Sequence, residues 1–287
     1  MIAGMTYYQI AWYFLIYSFL GWVLEVVYHA AKNGRIINRG FLCGPVCPVY
    51  GFGALAVFAL TKAALPAVAH IPERQLSSGT GIFDLLIVFL GGMLLATLVE
   101  LFAGWLLNTL FHARWWDYSR EPLNFHGYIC LRFSLIWGLV IIVVVRVIQP
   151  IMEANTALHL QERIGWHLLL ILYILYAADL VVTVMIVAGL NRRLKELDTL
   201  QKKMKKASDA LSWRIGEDTI RTQQKADEAK VQGALARYEL RDKLEEKKKE
   251  LLATHPVFGP RRLLLAFPNL QHRDFQKILS EIRERWR

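Results

Sequence analysis

Cysteine is scarce in this 287-residue chain, and the short patterns that usually announce chemistry are missing. The three cysteines, Cys43, Cys47 and Cys130, lie in or beside apolar stretches, and nothing in their number or spacing suggests a disulfide framework. Cys-x3-Cys with no histidine nearby is poor metal-ligand spacing, so all three read as small buried hydrophobes. There is no His-Glu-x-x-His and no Gly-x-Ser-x-Gly, the signatures of a zinc hydrolase and a serine hydrolase. Gly-x-x-x-x-Gly-Lys-Ser/Thr is also missing, so this chain cannot hydrolyse ATP by that route. No lysine or arginine precedes the first apolar run, which is therefore expected to be a retained span rather than a cleaved signal peptide. Neither a metal nor another cofactor is expected.

What is present is apolar surface. Hydrophobic residues make up 55% of the chain and charged residues 20%, and the mean hydropathy is +0.31. That composition belongs to a membrane protein with a polar appendage. The formal charge of +10 is uneven: residues 191–287 hold 24 Lys/Arg against 15 Asp/Glu. A basic tail beside a membrane fits contact with anionic headgroups on the cytoplasmic side. Nucleic-acid binding is not expected, because no recognition motif accompanies the charge.

An internal repeat organises the apolar part. Residues 40–51 and 127–138 both read Gly, aromatic, aliphatic, Cys, six residues, aromatic, Gly. An asparagine stands just before each copy (Asn38 and Asn124), and further back lies an apolar stretch carrying one glutamate (Glu25 and Glu100). A repeat of this kind constrains architecture more firmly than propensity does.

The fold expected is all-α and polytopic, with five spans near Tyr8–His29, Phe41–Leu65, Ile82–Phe111, Tyr128–Pro150 and Trp166–Leu190. Gly44, Pro45 and Pro48 interrupt the start of the second, which reads as a broken or re-entrant segment sheltered by protein. Lys32, Arg35, Arg39, Arg114, Arg120 and the tail fall on one side, which places the N-terminus outside and the tail inside. The transmembrane domain is then 1–190, with parallel two-helix repeats at 8–65 and 82–150 and a fifth helix at 166–190. Residues 191–287 form a cytoplasmic helical tail with partial coiled-coil spacing, interrupted at Gln201 and Gly216. If straight, its roughly 60 helical residues would reach near 90 Å. Lys247, Lys248 and Lys249 read as a solvated face. Arg261–Leu270 is apolar enough to dock on a partner or on the chain itself, and a short amphipathic helix ends the sequence.

Ionisable groups inside spans are functional candidates because burying them is expensive. Glu25, Glu100, Arg39 and Arg132 could surround a polar cavity, with Arg132 the natural partner of one glutamate and Asp179 able to join. They could equally be bridges that hold helices together. Tyr50, Trp116, Asp117 and Tyr118 crowd the same level as Asn38 and Asn124. For Asp117 and Asn124, capping of turns and helices competes with a binding role. His29 and His112 are better explained by favourable placement at helix C-termini than by ligation.

The run Asn38-Arg39-Gly40-Phe41-Leu42-x-Gly44-Pro45-x-Cys47-Pro48-x-Tyr50-Gly51, with Trp116-Asp117-Tyr118-Ser119-x-x-Pro122-x-Asn124, Gly127-x-Ile129-Cys130-Leu131 and Trp137-Gly138, resembles the ABC-transporter type IV permeases. These are the CmpB-like bacterial membrane proteins, and the resemblance covers roughly residues 8–190. It implies an inner-membrane location, a separate ATPase subunit, and a cytoplasmic coupling segment drawn from the tail or a motif loop. The leading expectation is a transporter, or its permease subunit, moving a small solute or ion through a polar cavity open to the cytoplasm. An intramembrane enzyme acting on a lipid or lipid-linked substrate, and a sensor or scaffold with a docking tail, stay open. Self-association through the membrane helices or the tail is also open.

Overall fold

The computed structural model describes residues 2–34, 38–66, 81–155, 162–218, 223–254 and 259–284. The chain is all-helical apart from short extended pairs. Helix α1 is Tyr7–Asn33; α2 is Pro48–Ala59, prolonged by a π-turn at Leu60–Ala64; α3 is Ile82–Phe111. Helix α4 is Leu131–Val143 and passes through a second π-turn, Val144–Ile148, into α5, Gln149–Asn155. Next come α6, Glu162–Asp218, α7, Gln223–Leu252, α8, Pro260–Ala266, and α9, Gln276–Glu284.

Local chemistry explains the helix ends. Thr6 and Gln9 form a reciprocal capping box at the start of α1, and Gly34 closes the helix in the left-handed region. At α2 the cap is Cys47 and Pro48 takes the first turn, where its missing N–H is no loss. Both π-turns have the same cause. Pro66 and Pro150 each stand two residues past a π-turn, and neither can donate to the carbonyl four residues back. The preceding amides, of Leu65 and Gln149, bond five residues back instead, to Leu60 and Val144.

Among the described residues four helices are long and apolar enough to cross a membrane: Tyr7–Ala31, Ile82–Phe111, Leu131–Ala154 and Glu162–Ala207. Pro48–Ala64 is apolar but shorter, about 25 Å at 1.5 Å per residue. Phe41–Cys47, expected within the second span, lies outside any helix.

The chain packs as two units, Met1–Val184 with Ala266–Leu270, and Met185–Leu265 with Gln271–Arg287. In the first, α1 packs on α2, α3 on α4, and α2 also meets α3. Its cores are aromatic around Tyr13, Tyr17 and Phe58, and aliphatic around Val57, Val88, Ile141 and Val145. Phe267 is part of this unit: it meets Trp115 edge-on at 4.9 Å between ring centroids and lies 5.7 Å below the Arg39 guanidinium. The apolar stretch that contains it therefore docks on its own chain.

The second unit corrects three expectations. A straight helix from 191 to 252 would put Arg193 and Glu250 more than about 80 Å apart. Instead Arg193 Nη1 donates to the Glu250 carbonyl at 3.4 Å, so the start of the tail and the end of α7 lie side by side. Gln201 does not merely interrupt a seam, since its amide donates to both Glu281 oxygens at 2.8 and 2.7 Å. Lys248 is buried rather than solvated, 3.2 Å from Glu281. Leu190, Leu194, Leu197, Leu251, Leu263 and Ile278 form the apolar interior.

Candidate functional site

Each repeat motif is a loop that leads into a helix, and in each several backbone polar groups bond to side chains of the protein. In the first loop the Asn38 carbonyl oxygen accepts from Gly40 N–H at 3.0 Å and from the Trp22 indole at 2.8 Å, while its amide donates to Cys43 O at 2.7 Å. Asp179 reaches in from α6 and accepts from two backbone amides, Cys43 at 2.9 Å and Gly44 at 2.8 Å. Cys47 N–H bonds to Ser18 O at 2.9 Å. Non-helical backbone at membrane depth survives only when its groups are satisfied in this way. Asp179 is thus the anchor of the first motif.

The second loop is built by its own side chains. Asp117 accepts from Ser119 N–H at 3.0 Å. Asn124 donates to Glu121 O at 2.8 Å and accepts from Gly127 N–H at 3.2 Å. The Trp116 indole donates to Tyr128 O at 2.8 Å. An antiparallel pair, Asn124–Phe125 with Ile129–Cys130, completes the turn. Gly127 has φ 73°, and a Cβ there would lie 2.6 Å from both Asp117 Oδ1 and Ser119 Oγ. Gly127→Ala should therefore lower stability by about 1–3 kcal/mol, read as a fall in the thermal midpoint. An unchanged midpoint would mean that the turn is not held as described.

The acids are joined by aromatic donors. Tyr50 OH donates to Glu25 at 2.7 Å, and Trp137 Nε1 donates to Glu100 at 3.3 Å. Tyr50 and Trp137 fill the same template position, and their rings meet edge-on at 5.6 Å. Tyr118 OH donates to the other Glu100 oxygen at 3.0 Å. Burial, then the charge of Glu100, pushes the Tyr118 hydroxyl well above its ordinary range and keeps it a donor. On the other side of Glu25, His29 Nε2 stands 3.6 Å away, and His29 Nδ1 is 3.0 Å from Arg39 Nη1. Arginine can only donate, so Nδ1 accepts and the imidazole proton sits on Nε2, facing Glu25. Burial lowers the Arg39 guanidinium from its ordinary value, opposed first by Glu25. One chain of contacts thus runs Phe267–Arg39–His29–Glu25–Tyr50–Trp137–Glu100–Tyr118.

Of the sequence candidates, Glu25, Arg39, Tyr50, Glu100 and Tyr118 come together in this chain. Asn38, Trp116, Asp117 and Asn124 use polar atoms to build the loops. Arg132 is a correction: its side chain is 67% exposed and lies 3.5 Å from Glu121. Glu100 is buried, and the groups that bond to it are the neutral Tyr118 and Trp137. The sequence names Trp137 only as a motif residue and explains His29 by its place at a helix C-terminus, so neither stands among the expected site residues. Trp137 had a signal, since it is the template partner of Tyr50.

A family model described as "Putative ABC-transporter type IV" matches residues 12–184. No curated protein and no solved structure matches the chain.

Proposed function

The chain belongs to the ABC-transporter type IV family, and from that membership we propose that it is the membrane subunit of a transporter driven by a separate ATPase. The cargo is a small cation, or a solute that moves with a proton, passing the acids through a polar path open to the cytoplasm. The observation that carries this reading is Glu100. A carboxylate buried among neutral donors in a membrane helix costs a few kcal/mol, which a cation or proton would offset. Tyr50 and Trp137, each donating to one of the acids, meet edge-on, which brings Glu25 and Glu100 into one polar group.

The topology belongs to the same proposal. Five segments cross, Pro48–Ala64 being completed by the loop that Asp179 holds, and the two repeats run parallel. The N-terminus is outside. The basic second unit lies in the cytoplasm beside anionic headgroups, where the ATPase is met. Phe267 on Arg39 supports a coupling route, because within the first unit it adds a late residue of the chain to the contacts that lead to the acids. A scaffold reading has one observation in its favour, the second unit's own apolar interior.

The test is purification from native membranes in mild detergent. An ATPase subunit should co-purify in fixed proportion, and its turnover should depend on this chain. A chain that co-purifies with no ATPase, and whose addition alters the turnover of none, would sink the proposal.

A further inference from the structure

A second polar cluster lies at the π-turn ends of α2 and α4, away from the motif loops that begin both helices. Lys62, inside the first π-turn, is 2.8 Å from Glu153 of α5. Gln149, which follows the second π-turn, donates to Glu153 at 2.9 Å and accepts from Tyr17 OH at 2.7 Å. Tyr13 OH donates to Glu153 at 3.4 Å. One carboxylate therefore gathers donors from α1, from the end of α2 and from its own helix.

We propose that Lys62 and Glu153 form a latch that closes this end of the membrane unit and must part for it to open. Three features support it. The pair is a charged contact between the first repeat and the second, and its separation removes that contact at this end. Both helix ends carry a proline-induced π-turn, a local weakness in the hydrogen-bond ladder at which a helix end can swing. The side chains are 16% and 43% exposed, so water can take over both charges once they separate. Tyr13, Tyr17 and Gln149 hold the carboxylate in register and are the groups that must re-form when the latch closes. The latch deepens the transport reading by supplying a gate on the side opposite the motif loops, yet it can be tested without any cargo.

The experiment uses the full chain in lipid nanodiscs with a polar, membrane-impermeant maleimide. Thr61, buried beside Lys62, is replaced by cysteine as a reporter. Buried Cys47 and Cys130, at the motif loops, are internal controls for unfolding. Adding Glu153→Gln to Thr61→Cys should speed labelling at position 61 about tenfold or more while the controls stay unchanged. The exchange Lys62→Glu with Glu153→Lys should restore protection. Unchanged labelling at 61 would overturn the latch. Faster labelling of all three cysteines would overturn it too, by showing that the pair only holds the fold together. Because no ATPase is needed, failure here leaves the permease reading standing, and the co-purification result leaves the latch standing.

Discussion

Glu100→Gln should leave the protein folded and abolish its coupling to the ATPase, while Glu100→Ala should damage the fold itself. The amide of glutamine fills the same space, its oxygen can accept from Trp137 and its NH2 can donate to the Tyr118 hydroxyl, which accepts as well as donates, so stability should stay within about 1–2 kcal/mol of the native value. What it cannot do is neutralise a cation or carry a proton. Chain-dependent ATP turnover should then fall about tenfold or more, the equivalent of about 1.4 kcal/mol in a barrier. Alanine leaves the Tyr118 hydroxyl and the Trp137 indole facing a void, a loss of about 2–5 kcal/mol. Thermal midpoints with ATP turnover separate the two variants. If the glutamine variant unfolds as readily as the alanine one, Glu100 is a structural group and the proposed site is wrong. If it folds and couples normally, the site is equally wrong.

The second large effect is expected at Asp179→Asn. This carboxylate offers one oxygen to Cys43 N–H and the other to Gly44 N–H. Asparagine keeps a single acceptor, so its NH2 would face a backbone N–H, donor against donor. The loss should be about 2–4 kcal/mol, the range for charged hydrogen bonds replaced by an unsatisfied donor. Gly44 adds a local constraint, because a Cβ there would lie 2.9 Å from the same carboxylate. The expected readouts are a lower thermal midpoint and faster thiol labelling of Cys43. Labelling and midpoint at native values would show that the first motif loop holds its shape without Asp179.

Much of the fold could be read from the chain. The span at Ile82–Phe111 was legible to the residue, since thirty residues with only two acids, Asp84 and Glu100, and no proline admit little else. The second span was legible as apolar with a start broken at Gly44, Pro45 and Pro48: where it becomes helical depends on Pro48 at the first turn and on Asp179 holding Phe41–Cys47 outside it. Both π-turns had a signal, a proline four residues after a basic one, at Lys62–Pro66 and at Arg146–Pro150. At the site, the glutamates stood out because charge is rare in apolar runs. Arg132 was assigned to them on depth in the sequence alone, and it points instead to Glu121.

Composition, periodicity and repetition by themselves determined that this is a helical membrane protein, that its apolar part carries one motif twice, and that Glu25 and Glu100 need a reason to be there. Those conclusions depend on properties local to each segment, namely apolarity, helical period and the presence of proline or charge. Tertiary structure alone decided which group satisfies which. Asp179 meets Cys43 across 136 residues, and Tyr17 meets Gln149 across 132. A hydrogen bond is decided within a few tenths of an ångström, and that precision comes from helix packing, which no spacing along the chain can encode.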